Sequence, residues 1–264
     1  MIAGYAMEDA VHAFAEKRYA IFPAQDPSVF AQFQSAIRQS AEAYLGRPID
    51  ALDVLHHYVT PAEINKIRLK IYNDLNKRKD WKIAYYALAT DTLKSLFGPD
   101  VSIQIKLNLS IQIPEDESSM LLLHTDTLSG QSPFECVLWT AVTDAFDSNA
   151  MYIFDEKSSK KLYQQLPSYQ HKGMQQLFED NRDNAQFINV PAGACVLFSS
   201  TLFHGNRVNC TDKTRISLNC RFKSLFSPEY AAIPHERVTG TFYEPLFLSP
   251  VTKIGLEYDD AIAF

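Results

Sequence analysis

The stretch Val101-Ser-Ile-Gln-Ile-Lys-Leu-Asn-Leu-Ser-Ile-Gln-Ile113 decides the fold. Ile103, Ile105, Leu107, Leu109, Ile111 and Ile113 alternate with Gln104, Lys106, Asn108, Ser110 and Gln112, the period of a strand with two unlike faces. The apolar face must be buried. The polar face is either solvated or turned into a cavity. A later stretch decides between them, because Ile216, Leu218, Cys220 and Phe222 alternate in the same way with Arg215, Ser217, Asn219 and Arg221. Two such strands predict a sheet with helices on its apolar side and a polar pocket on the other.

Working outward, residues 1–100 have a helical period. Asp26-Pro27 is an N-cap followed by proline at the first helical position, and Phe30, Phe33, Ile37, Ala41 and Tyr44 continue one stripe towards Gly46. Thr60-Pro61-Ala62-Glu63 repeats the start signal with a capping-box glutamate, ahead of Ile64, Ile67, Ile71 and Leu75. A third helix is expected from Trp81 to Leu96, stopped by Gly98-Pro99. Further strands are expected at Phe134–Asp144, Met151–Phe154, Phe187–Val190 and Cys195–Phe198. Residues 156–182, polar and rich in lysine and glutamine, are an insertion on the barrel. No Gly/Ser/Pro linker divides the chain. The expectation is therefore one domain over residues 1–264, mainly β with N-terminal helices. It comprises helical support over 1–100, a double-stranded β-helix (jelly roll) over 101–226 with helices packed on one sheet, and a C-terminal wrap over 227–264. That wrap either closes the pocket or contributes a homodimer contact. His235 lies in it and is not assigned to a metal.

Composition narrows the function. Of 264 residues, 46% are hydrophobic and 21% charged, as in ordinary globular domains. The net charge of −6 gives no electrostatic reason to expect a nucleic-acid partner. No run approaches the length of a membrane span, and the first residues lack the basic and apolar regions of a signal peptide. Cys136, Cys195, Cys210 and Cys220 are widely spaced, which predicts free thiols and a reducing, cytoplasmic setting.

The chemistry centres on His124-Thr125-Asp126 and on His204, eighty residues later. A histidine and a carboxylate two apart on a strand point to the same side. With a second histidine they form the two-histidine, one-carboxylate set that binds ferrous iron and leaves positions open. Arg215 follows eleven residues after His204, and a guanidinium can hold a distal carboxylate through two charge-assisted bonds. Ser217, on the same face, adds a hydroxyl. His124, Asp126 and His204 are thus the candidate catalytic metal ligands, and Arg215, Ser217 and Asn108 the candidate contacts to 2-oxoglutarate. Gln112, Ser129, Gln131, Trp139 and Arg221 are candidate substrate contacts. Trp139 either shields the metal or packs. Arg221 either meets an anionic substrate group or pairs with a carboxylate of the protein.

Residues 124–135 (His-Thr-Asp-Thr-Leu-Ser-Gly-Gln-Ser-Pro-Phe-Glu), 147–152 (Asp-Ser-Asn-Ala-Met-Tyr) and 203–206 (Phe-His-Gly-Asn) resemble the Fe(II)/2-oxoglutarate oxygenases of carbohydrate clusters, including streptomycin-type biosynthesis proteins. More distantly they are similar to phytanoyl-CoA-dioxygenase-like proteins. The resemblance spans residues 104–228. It implies a jelly roll, iron at His124, Asp126 and His204, and 2-oxoglutarate at Arg215, with dioxygen as the third reactant. Related halogenases replace the metal carboxylate with a small residue, so the presence of Asp126 favours hydroxylation. The expected activity is hydroxylation of a small carbohydrate or sugar-derived metabolite, with release of succinate and CO2. The alternatives are the same chemistry on a non-sugar molecule, or a cupin-like protein that binds sugar or metal without turnover.

Overall fold

The computed structural model describes residues 7–229 and 237–261; His235 and the first six residues lie outside the described residues. The N-terminal part contains helices α1 (Met7–Lys17), α2 (Pro27–Leu45), α3 (Ile64–Lys77), α4 (Trp81–Ala87) and α5 (Thr90–Phe97). Asp26 caps α2 by accepting from the Ser28 and Val29 amides at 3.0 and 3.1 Å, and Gly46 ends it with φ 67°. Glu63 accepts from the Thr60 amide at 3.0 Å ahead of α3. The single third helix expected from sequence is two, α4 and α5, because Ala89 leaves the helical region (φ −149°). At this break the Leu88 carbonyl is free to accept from the Gln25 amide at 2.9 Å.

One strand hides among these helices. β1 (Tyr19–Pro23) is too short for a visible period, yet it forms an edge of the main sheet. The alternating stretch at 101–113 is itself divided, into β2 (Val101–Gln104) and β3 (Asn108–Gln112). Asn76 of α3 fills the gap. Its side chain accepts from the Leu107 amide at 2.9 Å and donates to the Leu107 carbonyl at 3.0 Å, as a neighbouring strand would.

The remaining elements are β4 (Glu135–Ala141), β5 (Tyr152–Ile153), α6 (Glu156–Gln165), α7 (Gly173–Asn181), β6 (Gln186–Phe187), β7 (Ala194–Ser199), β8 (His204–Gly205), β9 (Arg215–Ser224), β10 (Tyr243–Phe247) and α8 (Pro250–Ala261). Seven strands form an antiparallel sheet in the order β1-β7-β4-β9-β2-β10, with β3 also paired to β9. A second sheet has the order β6-β5-β8. The wrap expected after residue 227 thus includes a sheet strand, β10, whose Pro245 is tolerated because it lies at an edge.

Register explains the two faces. Asn108, Ser110 and Gln112 of β3 stand opposite Asn219, Ser217 and Arg215 of β9, so the polar residues share one side. Their apolar neighbours Leu109, Ile111, Ile216 and Leu218 join Phe33, Ile37, Ile67, Ile71 and Tyr85 of the helices in one buried cluster. The Tyr85 hydroxyl anchors α4 to the sheet by donating to the Leu138 carbonyl at 2.9 Å. Residues 156–182 form α6 and α7, packed through Leu162, Leu177 and Phe178 on Tyr152, Phe154 and Phe203. Cys136, Cys195 and Cys220 are buried free thiols, and Cys210 is exposed and free. No described helix is long and apolar enough to cross a membrane.

Replacing Asn76 by alanine leaves the buried Leu107 amide and carbonyl without partners. The expected loss is about 2 kcal/mol, measured as a lower urea midpoint with unchanged slope. A loss within a few tenths of a kcal/mol would show that the division of the strand does not depend on this side chain.

Candidate metal and dicarboxylate site

His124 and His204 stand directly opposite each other in an isolated antiparallel bridge. The His124 amide donates to the His204 carbonyl at 3.0 Å, and the His204 amide to the His124 carbonyl at 2.9 Å. Opposed residues on paired strands put their side chains on one face, and the ring centroids are 4.3 Å apart. Nδ1 of His124 lies 2.8 Å from the Leu122 carbonyl, and Nδ1 of His204 3.0 Å from that of Leu202. A carbonyl only accepts, so each Nδ1 carries the proton and each Nε2 keeps its lone pair for a metal. Asp126 completes the group, with the donor atoms of the three residues all within 4.8 Å of one another.

Electrostatics leaves these groups in the protonation states that can bind a metal. Burial, together with His124, pushes the His204 pKa down to about 4, so the imidazole is neutral near pH 7. Burial opposes ionisation of Asp126, but Arg221 and the two imidazoles outweigh it, and the pKa is lowered. Arg221 holds the carboxylate from behind: Nη2 donates to Oδ1 at 2.7 Å and Nε to Oδ2 at 3.3 Å, while Nη1 reaches Gln104 Oε1 at 3.1 Å. Of the two readings open for Arg221, this structure displays the pairing with a protein carboxylate. Gly205 allows the close approach of strands here, since a Cβ would sit 2.7 Å from the Leu121 carbonyl oxygen.

Arg215 lines the same cavity, between the two sheets, as His124, Asp126 and His204. Only 2% of its surface is exposed. Its Nε donates to the Asn149 carbonyl at 3.1 Å, Nη1 to Ser110 Oγ at 3.0 Å and Ser217 Oγ at 2.7 Å, and Nη2 to Gln112 Oε1 at 2.8 Å. Every one of these acceptors is neutral, and among the described residues no carboxylate pairs with it. Burial pushes its pKa down to about 10, which still leaves it charged at pH 7. A buried, uncompensated guanidinium is costly unless an anion answers it. Together with the nitrogen and oxygen donors nearby, it fits a divalent iron site beside a dicarboxylate.

The cavity has a volume of about 110 Å³. Ser110, Asn206 and Asn219 add polar groups, and Leu121, Val137, Trp139, Met151 and Phe198 are its apolar walls. Leu121, 53% exposed, marks the open side. The Trp139 ring faces the Arg215 guanidinium at 6.0 Å while packing on Val137 and Val196, so it both lines and packs. Asn108 bonds to Asn219 at 3.0 Å and stands one layer back. Gln112 and Ser217, both fully buried, orient Arg215. Ser129 is exposed in a short turn after Asp126, and Gln131 is buried beside the Tyr243 hydroxyl, outside the cavity wall. Sequence reasoning passes over Ser110, although it sits at the centre of the polar face of 101–113. It also misses Asn149, whose backbone contact leaves no trace in a sequence. A larger groove of about 500 Å³ beside α2 holds no comparable donor set. There Arg38 bonds to the Ile49 and Asp50 carbonyls, and Asp53 pairs with Lys213.

No family model matches the chain, and no curated protein matches it. Solved structures do share its fold. A nickel complex of the non-heme monooxygenase ThoJ is 18% identical, with a TM-score of 0.54 over 96% of this chain and 95% of that one. The non-heme alpha ketoglutarate dependent carbocyclase SnoK from nogalamycin biosynthesis gives 0.60 at 14% identity, covering 94% and 97%. The apoform of EctD from S. alaskensis gives 0.53 at 16% identity, covering 81% and 75%.

The Asp126–Arg221 pair joins a buried carboxylate to a largely buried guanidinium, at 4% and 15% side-chain exposure. In the metal-free protein, Arg221→Met strands the Asp126 carboxylate and is expected to cost about 3 kcal/mol. The double variant with Asp126→Asn should recover most of that loss in a denaturation-based double-mutant cycle. Additive losses would show that the pair is not coupled.

Proposed function

We propose that this chain is an iron- and 2-oxoglutarate-dependent oxygenase, built on a double-stranded β-helix, that hydroxylates a small molecule. The observation that carries this reading is the conjunction, in one cavity, of a His-Asp-His donor set and a buried guanidinium without a carboxylate partner. When bound there, ferrous iron with 2-oxoglutarate and dioxygen supplies oxidative decarboxylation to succinate and CO2, coupled to oxygen insertion into a C–H bond.

The chain's own residues have separable tasks. His124 and His204 offer Nε2, and Asp126 a carboxylate oxygen. Arg215 offers the far carboxylate of 2-oxoglutarate its charge and the one Nη2 proton that its protein acceptors leave unused. The Ser110 and Ser217 hydroxyls, which accept from Arg215, retain a proton each to donate to the same carboxylate. Gln112 fixes the plane of the guanidinium, and Asn108 acts through Asn219. Val137, Met151, Phe198 and Trp139 keep water from the reacting centre.

We assign substrate contact to Asn206 and Asn219 on the cavity wall, with Trp139 and Arg221 beside them. Ser129 stands in the exposed turn after Asp126, where it can meet an incoming molecule, and Gln131 supports the loop. Their amide and hydroxyl groups suit a small carbohydrate or sugar-derived metabolite, a reading that the resemblance of residues 124–135 supports; the apolar walls suit a non-sugar molecule equally well. A cytoplasmic setting and a homodimer remain part of the proposal. A cupin-like binder without turnover would have no use for a buried Arg215 beside the metal donors.

With ferrous iron, oxygen and 2-oxoglutarate, the protein is expected to form succinate and CO2 in equal amounts, and Asp126→Ala to form none. Arg215→Met should raise the 2-oxoglutarate concentration for half-maximal succinate formation about a hundredfold and leave metal affinity in place. Equal loss of both affinities would make Arg215 a structural residue.

A further inference from the structure

The metal-binding segments are stitched to each other by the His124–His204 bridge, but they also share a support from outside the sheets. Helix α6 belongs to the polar insertion, which the proposed chemistry does not use. Its Tyr163 hydroxyl donates to the Thr201 carbonyl at 3.0 Å, three residues before His204. The same oxygen lies 3.1 Å from Thr125 Oγ1, between His124 and Asp126, and 2.8 Å from Thr127 Oγ1, immediately after Asp126. One atom thus contacts both segments.

A second α6 residue acts on the same stretch. Ser159 Oγ accepts from the Phe203 amide at 3.1 Å and donates to the Phe154 carbonyl at 3.0 Å. The Phe203 carbonyl in turn accepts from the Phe154 amide at 2.8 Å. Both backbone groups of the residue preceding His204 are therefore held by the insertion and its root. The Tyr163 ring packs on Phe203 with centroids 4.8 Å apart. Thr125 is fully buried, so water cannot take the place of these bonds without opening the packing.

We propose that Tyr163, seconded by Ser159, is a positioning residue for the metal centre. By tying the turn around Asp126 to the loop before His204, it fixes how far apart the carboxylate and the distal imidazole stand. The insertion is then part of the site's framework. Groups behind metal ligands that set their orientation are worth ten- to a hundredfold in metal affinity. The inference rests on the metal-site reading given above.

The test uses Co(II) as the metal probe, titrated anaerobically into the full chain, with its visible d–d spectrum as a report on coordination geometry. Tyr163→Phe removes only the hydroxyl and should weaken Co(II) binding about tenfold and change the band shape. Ser159→Ala should act in the same direction. Tyr169→Phe is the control, because its hydroxyl bonds to Asp180 within the insertion at 2.7 Å, away from the metal segments. It should leave affinity and spectrum as in the wild type. Wild-type affinity and spectrum in Tyr163→Phe would overturn the proposal, and so would an equal loss in Tyr169→Phe, which would mark a general loosening of the insertion. If the wild-type chain itself bound no Co(II), the metal-site reading would fall and this inference with it.

Discussion

The site depends on a reciprocal pair of backbone hydrogen bonds between His124 and His204. Two segments eighty residues apart are locked in register there, and a slip of one residue would turn one imidazole to the opposite face. The bridge also decides the protonation of both rings. With the backbone fixed, each Nδ1 falls on a carbonyl of its own segment, and each Nε2 is left for a metal. Asp126 stands where the chain leaves the bridge for a turn (φ −63°, ψ −33°), and Arg221, bonded to both of its carboxylate oxygens, holds it beside the imidazoles. The small sheet carries His204 on β8, while the large sheet brings Arg215 and Arg221 on β9. The cavity lies between these two segments and β9.

Charge is the second constraint. Two guanidinium groups lie near the triad, Arg215 buried and Arg221 partly so, and they differ in what answers them. Arg221 is matched by Asp126, so it serves as the counter-charge of that carboxylate. Arg215 is surrounded by a carbonyl, two hydroxyls and an amide oxygen. These acceptors satisfy four of its five N–H groups but supply no negative charge. Burying such a group costs stability unless an anion answers it, and the six-residue spacing on one strand keeps the two arginines on one face.

Much of this was legible in the sequence, for reasons that can be named. The polar faces of 101–113 and 215–222 were visible because alternation survives the division into β2 and β3: the side chain of Asn76 substitutes for strand pairing without changing the period. Asp26, Pro27 and Gly46 announced α2 because capping is local chemistry. β1 and β10 were not legible. Each is five residues long, and each draws its strand character from a partner distant in the chain rather than from its own pattern. Position 124 and position 204 could be proposed as ligands from residue type and spacing, but their direct pairing is a fact of tertiary structure. Tyr163 was the least visible of all. In the sequence it is one aromatic in a polar insertion, and only the fold brings its hydroxyl to Thr125 and Thr201.

On the proposed function, one cavity holds iron through His124, Asp126 and His204 and a dicarboxylate through Arg215. Anaerobic titration of the protein with ferrous iron and 2-oxoglutarate, followed in the visible range, tests both halves at once. One iron per chain is expected, with a weak charge-transfer band that needs both additions and is absent in His124→Ala. A wild-type protein that takes up neither, or a band that persists unchanged in His124→Ala, would contradict it.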